Sequence, residues 1–222
     1  MYTLTAINPD TRLMVSHVEG QRDTLHAVLL FEDVEKKRDK STQLPVFTTD
    51  NWDAFDEALI TVYGRTEYPE YKGWGRPPLP RRVPIEDLKY AQVCKKKENG
   101  HVVEVVQHVV YGEPDEVLQL LCADTGGKIN TSYVERLNLT VRNSSARFIR
   151  KGMNYSKDAD MHSKAVDLFQ AWYNFVKPHQ SLRQESEQED RKWKERTPAM
   201  AQKLTDHIWN LEELMTFRVP TQ

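Results

Sequence analysis

The sequence is poor in cysteine and in long apolar runs. Its 222 residues include two cysteines, Cys94 and Cys122, and neither has a second Cys or a His at metal-ligand spacing. This pattern argues against a disulfide framework or a zinc site and favours a reducing compartment. No stretch reaches the roughly 18 apolar residues of a membrane span, and the first residues lack a charged region followed by an apolar one. We therefore predict a cytoplasmic protein.

An excess of basic charge is also absent. The 31 Lys and Arg residues face 33 Asp and Glu residues, which leaves a formal net charge of −2. Contact with a polyanion would therefore need a local basic surface. One such run lies between residues 136 and 151, where no acid occurs, although a solvated helix face is the alternative explanation. Its basic members are Arg136, Arg142, Arg147, Arg150 and Lys151.

A single acid precedes this basic run. Apolar residues recur at positions 134, 137 and 141, which predicts the core-facing stripe of a helix. A second stripe of the same helix carries Glu135, Asn138 and Arg142, so an acid, an amide and a guanidinium are presented together. The alternative is structural, because Ser132 and Glu135 have the spacing of a capping box.

Periodicity and turn residues predict the other elements. In order they are a hairpin over 2–18, a helix over 22–37, a strand over 44–50, a helix from an Asn51 cap to Gly64, a loop over 65–84, a hairpin over 90–111, a short helix over 115–122, the Glu135 helix, a long helix over 159–176, an exposed linker over 184–194 and a last element over 196–214. The predicted core contacts are Leu25, Val28, Leu29 and Val34 in the first helix, Phe55, Ala58, Leu59 and Val62 in the second, Ala165, Leu168, Phe169, Trp172 and Phe175 in the long one, and Leu204, Ile208, Trp209 and Leu211 in the last element.

Three positions outside the Glu135 helix invite a functional interpretation. Asp50 ends a short apolar strand and precedes a helix, which is where α/β proteins place ligands, but a capping or loop aspartate explains it equally. The loop over 65–84 interleaves aromatic and basic residues, a composition that suits either nucleic-acid stacking or a long surface connection with pinned aromatics. His179, just beyond the long helix, is predicted to be a hydrogen-bonded structural histidine.

Three motifs in order carry a resemblance to a known family. They are Val46-Phe-Thr-Thr-Asp50, the segment Asn-Thr-Ser-Tyr-Val-Glu-Arg-Leu-Asn-Leu-Thr-Val-Arg at 130–142, and Phe-Gln-Ala-Trp-Tyr-Asn-Phe-Val-Lys-Pro-His at 169–179. Together they resemble the catalytic domain of bacterial insertion-sequence transposases, of the insertion-sequence-one type in the DDE superfamily. The resemblance covers nearly the whole chain. It implies an α/β, ribonuclease-H-like mixed sheet flanked by helices, with an inserted β-rich segment. The implied segments are 1–64, the insertion 65–125, the remainder of the catalytic domain at 126–183, and a linker with a helical appendage at 184–222.

The resemblance also implies a chemistry. Such enzymes cut and join DNA with Mg²⁺ or Mn²⁺ ions held by three carboxylates, and Asp50 and Glu135 match the second and third. They are therefore expected to lie on adjacent elements, several ångströms apart. Arg142 matches the basic position near the scissile phosphate, and the expected DNA-binding set is Arg136, Asn138, Arg142, Arg147, Arg150 and Lys151. The implied partners are transposon ends, target DNA and further copies of the chain, with the protein at the nucleoid when it is bound to DNA.

One departure from the family pattern limits the activity that we expect. The first acid of the family precedes the hairpin that begins here at Tyr2, and it has no counterpart, since Asp10 lies in a turn. We therefore expect an incomplete or inactive copy of the catalytic domain. The alternatives are a non-catalytic DNA-binding remnant or regulator of transposition, and an unrelated interaction protein in which Glu135 only caps its helix.

Overall fold

The structure, a computed structural model, describes residues 1–71, 73–99, 101–122, 131–148, 153–186 and 192–218. Within them the chain is a mixed α/β protein that divides into two compact units. The first unit comprises residues 1–4 and 20–132, and the second unit comprises residues 5–19 and 133–222. In the described residues, no helix has both the length and the apolar character needed to cross a membrane.

The elements follow the predicted order closely. The strands are β1 (Tyr2–Ile7), β2 (Met14–Gly20), β3 (Val46–Asp50), β4 (Gly64–Glu67), β5 (Arg81–Pro84), β6 (Lys89–Glu98), β7 (His101–Tyr111), β8 (Gln184–Glu185) and β9 (Trp193–Lys194). The α-helices are α1 (Thr24–Lys37), α2 (Asp53–Tyr63), α3 (Pro114–Cys122), α4 (Ser132–Ser144), α5 (Ala159–Ala171), α6 (Pro198–Ala201) and α7 (Leu211–Thr216).

A three-stranded mixed sheet forms the centre of the first unit. Strand β3 pairs in parallel with β6, and β6 pairs antiparallel with β7. Strand β6 is therefore the middle strand. The segment 65–125, which the sequence assigned to an insertion, supplies two of the three strands and builds the sheet together with β3.

Helices cover both faces of this sheet. Because successive side chains alternate between faces, Phe47 and Tyr90 pack with α1 and α2, whereas Ala91 and Val93 pack with Val117 of α3. The buried residues on the first face are Ala27, Phe31, Phe47, Ala58, Leu59, Tyr63, Leu88 and Tyr90.

The predicted contact face of α1 was wrong in part. Leu25 and Leu29 are exposed, and the helix instead buries Ala27, Leu30 and Phe31. These residues recur at i, i+3 and i+4, so the helical period was right and its phase was shifted. The shift arose because the prediction favoured aliphatic side chains and overlooked Ala27, which packs among buried aromatic rings.

The start of α2 also differs from the prediction. The helix begins at Asp53, so Trp52 occupies the N-cap position and makes no side-chain cap hydrogen bond, while Asn51 lies one residue too early. Asp53 and Asp56 in the first turn place negative charge at the positive end of the helix dipole. Gly64 ends the helix as predicted.

The segment predicted as a loop over 65–84 contains a hairpin. Strands β4 and β5 pair antiparallel from Gly64↔Pro84 to Glu67↔Arg81. The prediction missed them because their charged and proline residues lack the alternating apolar pattern of a half-buried strand. The part of the loop between the two strands is thereby held at both ends.

The core of the second unit forms around Met14 on the β1–β2 hairpin. Met14 packs with α4 and α5, and the buried cluster is Met14, Leu137, Val141, Val166, Phe169 and Tyr173. The predicted stripe of α4 is confirmed at Leu137 and Val141. In α5 the predicted face was shifted, since Leu168 is exposed while His162 and Val166 are buried. A pattern of apolar residues does not predict that a histidine will be buried.

Helix α5 continues into a π-helical turn over Trp172–Val176. The wider turn is closed by a hydrogen bond of 3.0 Å from the Lys177 N–H to the Trp172 carbonyl. Tyr173 and the polar Asn174 are both buried in this turn. Such turns are often found where a helix serves a special packing or functional need.

The last part of the chain is less helical than predicted. The element expected over 196–214 is instead two short helices, α6 and α7, and Lys203 just after α6 has a positive φ of 62° that ends the helix. Of the predicted contacts there, Leu204 and Leu211 are exposed. The predicted linker over 184–194 begins and ends in the paired strands β8 and β9, and its residues 187–191 lie outside the described ranges.

Candidate functional site

Asp50 is the last residue of β3 and lies at the carboxyl end of that strand, in register with Val93 of β6. Its side chain is exposed. The apolar Val46 and Phe47 fix the strand in the sheet, so the chain leaves the core at Asp50 before it turns into α2. An acid is thus presented at a strand end, where α/β sheets commonly bind ligands.

Two tyrosines lie close to this strand end. The Tyr90 hydroxyl forms hydrogen bonds of 2.7 Å with Thr49 Oγ1 and 2.9 Å with Gln92 Nε2. Burial raises the pKa of Tyr90, the two hydrogen bonds oppose this shift, and the charges of Asp56 and Asp50 add to it.

The second tyrosine, Tyr111, donates a 2.6 Å hydrogen bond to Asp56 Oδ1. Burial and this carboxylate raise the pKa of Tyr111, so its hydroxyl stays protonated at neutral pH. The neighbourhood of Asp50 therefore combines carboxylates with neutral hydroxyl groups. Sequence reasoning missed this pair because Tyr90 and Tyr111 are more than twenty residues apart and neither belongs to a recognisable motif.

Glu135 lies in the first turn of α4 with an exposed side chain. A carboxylate at this end of a helix interacts favourably with the helix dipole. The helix begins at Ser132, and the capping box of Ser132 and Glu135 stays a structural alternative for this acid. The buried residues Leu137 and Val141 fix the rotation of α4 about its axis and turn Glu135 away from the core.

The residues of the predicted DNA-binding set fall into three groups. Arg136 and Arg142 are exposed on α4, and the half-buried Asn138 accepts a 3.3 Å hydrogen bond from Thr5 Oγ1 through its Oδ1 atom. Arg147 is half-buried and donates a 3.2 Å hydrogen bond to Ser156 Oγ. Arg150 and Lys151 lie outside the described residues.

A buried polar network in the second unit went unrecognised in the sequence. His17 Nδ1 lies 2.8 Å from Glu19 Oε1, and both side chains are nearly buried, at 7% and 11% exposure. His17 Nε2 lies 3.2 Å from the exposed Asp167, and Ser163 Oγ donates to Glu19 Oε2 at 3.2 Å. Glu19 on β2 and Ser163 on α5 are 144 residues apart in the chain, so sequence spacing gave no signal of their contact.

The pKa of Glu19 is shifted within this network. Burial alone would raise the pKa of Glu19, but the hydrogen bond and positive charge of His17 outweigh it, with help from Ser163, and the pKa is lowered. A second histidine, His162, bonds through Nδ1 to Ser156 Oγ at 2.6 Å, and burial lowers its pKa. The Arg147–Ser156–His162 chain therefore ties one predicted DNA-binding residue to the interior of the unit.

His179 packs against the core of the second unit. Its ring lies edge-on to Tyr173 at 4.7 Å between centroids, and its backbone N–H donates to the Arg196 carbonyl at 2.9 Å. Within the described residues its buried Nε2 atom has no hydrogen-bond partner. Burial, with the charges of Lys177 and Arg12, lowers the pKa of His179 to about 4.

This pKa predicts a pH dependence of stability. In the unfolded chain His179 binds a proton near pH 6.5, whereas in the folded chain it stays neutral down to about pH 4. The unfolded state therefore gains protons first, and the stability that His179 contributes above pH 6.5 is lost as the pH falls towards 4. Denaturant unfolding at pH 7.5 and pH 5 should show this loss, and His179→Gln should reduce the difference between the two. An undiminished difference in the variant would contradict the assignment.

Asp50 and Glu135 are the predicted metal ligands. Among the described residues, no group of three or more His, Cys, Asp or Glu side chains lies close enough to hold one ion. Asp50 belongs to the first unit and Glu135 to the second. That the two carboxylates approach each other stays a prediction.

Comparison with known proteins adds no relative to these observations. No family model matches the chain, and searches of curated proteins and of solved structures found no match.

Proposed function

We propose that the chain is the catalytic domain of a DDE-type insertion-sequence transposase, which cleaves DNA strands and transfers them with the help of divalent metal ions. The observation that carries the proposal is the ordered set of three motifs, with an acid in each of the first two. Asp50 ends a strand with its side chain exposed, and Glu135 is exposed in the first turn of a helix. Both placements suit acids that share a ligand.

The residues fit the metal that the family uses. Carboxylate oxygens are the ligands that Mg²⁺ and Mn²⁺ prefer, and exposed carboxylates leave room for the several waters that Mg²⁺ retains. Asp50 and Glu135 are the two side chains that would hold the ion. A bound ion would supply charge stabilisation at the scissile phosphate and activation of the attacking oxygen. In the family a third carboxylate completes this ligand set.

The basic face of α4 would hold the DNA backbone. Arg142 is exposed, lies seven positions after Glu135 and can form two hydrogen bonds to one phosphate. Arg136 is exposed on the same helix and adds positive charge. Such contacts position the DNA without reading its sequence. Arg147 is better assigned to positioning, because its guanidinium donates to Ser156.

The finer fold and the assembly belong to the same proposal. A mixed sheet with a parallel β3–β6 pair and helices on both faces is compatible with a ribonuclease-H-like arrangement. We further propose that copies of the chain assemble on transposon ends and target DNA, as the resemblance implies. Loss of the metal site with retained DNA binding would instead identify a remnant or regulator.

Mn²⁺ binding tests whether the two acids share an ion. Free Mn²⁺ can be followed by electron paramagnetic resonance while it is titrated against the wild type, Asp50→Asn, Glu135→Gln and the double variant. Each single substitution should weaken binding on the order of tenfold, and the double variant should lose little more, because the second acid has nothing left to share.

Matched controls are Asp53→Asn and Glu212→Gln, which neutralise exposed acids on other helices and should leave Mn²⁺ binding unchanged. Independent, additive losses from Asp50 and Glu135 would show two separate weak sites. Equal binding by all variants would contradict the proposal.

A further inference from the structure

The segment between β4 and β5 exposes an unusual amount of aromatic surface. Trp74 and Tyr68 are 79% and 78% exposed, and Tyr71 is 48% exposed. Large aromatic side chains are mostly buried in folded proteins, and several of them exposed together commonly mark an interaction surface. We call these three residues the aromatic loop.

A side-chain hydrogen bond and two glycines of positive φ mark the residues around Trp74. The Tyr71 hydroxyl donates a 3.0 Å hydrogen bond to the Gly75 carbonyl. Gly73 and Gly75, on either side of Trp74, have φ angles of +83° and +80°, which favour glycine over other residues. No heavy atom lies within 4 Å of a Cβ placed at either glycine, so conformation and not space requires them. The indole of Trp74 is therefore carried outward on a turn that only glycines form easily.

The base of the loop is fixed to the first unit. Arg81 contacts Glu67 Oε2 at 2.8 Å across the β4–β5 pair, and Arg82 donates a 2.5 Å hydrogen bond to the Thr61 carbonyl at the end of α2. Ile85 donates to the Tyr63 carbonyl at 3.4 Å just beyond the hairpin. Rigid ends reduce the conformational entropy that the loop would lose on binding a ligand.

The charge of residues 64–84 indicates which kind of partner the aromatic loop would bind. Residues 64–84 contain five Lys or Arg and two Glu, whereas the whole chain has a net charge of −2. Arg76 follows the tip and is exposed. Exposed aromatic faces within a basic segment match a ligand with flat rings and a polyanionic backbone. Leu79 and the prolines Pro77, Pro78 and Pro80 of this segment are exposed as well, so its positive charge, and not a lack of apolar surface, favours a polyanionic ligand.

From these observations we propose that the aromatic loop binds single-stranded DNA, with unpaired bases stacked on Trp74 and Tyr68 and the phosphate backbone beside Arg76. Bases in a duplex are already stacked on their neighbours, so they cannot offer a free face to a side chain. The inference rests on the proposed function, because strand cleavage and transfer produce unpaired ends. It assigns the loop a task that the two acids and the α4 helix do not perform.

Fluorescence anisotropy with a labelled oligothymidylate tests the proposal. The titration is run with EDTA at low salt, so that it does not depend on the metal site. Trp74→Ala and Tyr68→Ala should each weaken binding by about tenfold, in line with about 1–3 kcal/mol for one stacked base, and Trp74→Phe should recover much of the loss. The matched control is Tyr155→Ala in the second unit, where the ring is 64% exposed and no change is expected.

Each outcome decides the question. Equal binding by the wild type and Trp74→Ala would overturn the proposal, as would a preference for duplex that the aromatic substitutions leave untouched. Circular dichroism of each variant shows whether a loss reflects unfolding, and the Trp74→Phe variant separates loss of the ring from loss of fold. If DNA binding depends on Trp74 but Asp50 and Glu135 share no Mn²⁺ ion, the role of the aromatic loop is supported and the proposed function is contradicted. If the two acids share an ion but DNA binding does not depend on Trp74, the proposed function is supported and the role of the loop is contradicted.

Discussion

Replacing Asn174 with leucine is expected to lower the free energy of unfolding by about 2–4 kcal/mol, although the two side chains are similar in size. Asn174 is buried in the π-helical turn and acts as a backbone partner for the β1–β2 hairpin. Its Oδ1 accepts from the Met14 N–H at 2.9 Å, and its Nδ2 donates to the Met14 carbonyl at 2.9 Å. Gln170 Nε2 also donates to that carbonyl, at 2.7 Å, so the Met14 N–H is the group that leucine would leave without its side-chain acceptor.

Urea unfolding monitored by circular dichroism measures this loss. The matched control is Asn143→Leu, which changes an exposed residue of α4 and should shift stability by about 0.5 kcal/mol or less. If Asn174→Leu were as stable as the wild type, Asn174 would not be holding the hairpin. Its presence in the third motif would then need another explanation.

Among the substitutions of titratable groups, His17→Ala is expected to lower the free energy of unfolding most. The His17→Ala substitution should cost about 3 kcal/mol, because it removes the imidazole that is hydrogen-bonded to the nearly buried Glu19 carboxylate. Combining it with Glu19→Gln removes the buried charge, so the double variant should be more stable than the sum of the single losses predicts. Asp167→Asn is the control, since its carboxylate is 66% exposed and surface pairs contribute about 0–1 kcal/mol.

Glu19 also determines how the free energy of unfolding depends on pH in the acid range. The pKa of Glu19 is lower in the folded chain than its ordinary value of 4.5. The carboxylate therefore contributes stability that is complete above pH 4.5 and is lost as the pH falls through the lowered pKa. Glu19→Gln should flatten the stability curve below pH 4.5. An unchanged acid slope in Glu19→Gln would contradict this role.

Much of the fold follows from local patterns in the sequence. The alternation of β6 and β7, the helical period of α4 and the turn residues after Ile7 all gave elements close to the observed ones. The errors have a common physical origin. The phase of α1 depended on Ala27 and that of α5 on His162, and in both cases tertiary packing selected a residue that hydrophobicity alone ranks low.

The candidate site shows the same limit. The strand end at Asp50 and the helix position of Glu135 could be predicted, because each depends on a short stretch of chain. The contacts of Tyr90 with Thr49 and of His17 with Asp167 could not, because each joins residues more than forty positions apart in sequence. The internal hydrogen bond of Arg147 likewise became visible only when Ser156 and His162 were placed beside it.

Iron-directed cleavage would test most directly whether Asp50 and Glu135 bind one metal ion. Fe²⁺ replaces Mg²⁺ at oxygen-ligand sites, and with ascorbate and peroxide it generates hydroxyl radicals that cut the backbone close to the bound ion. A shared site predicts cuts next to residue 50 and next to residue 135, both suppressed by excess Mg²⁺ and both lost in Asp50→Asn and in Glu135→Gln. Cuts at one of these positions without the other, or cuts that survive either substitution, would contradict the proposed metal site.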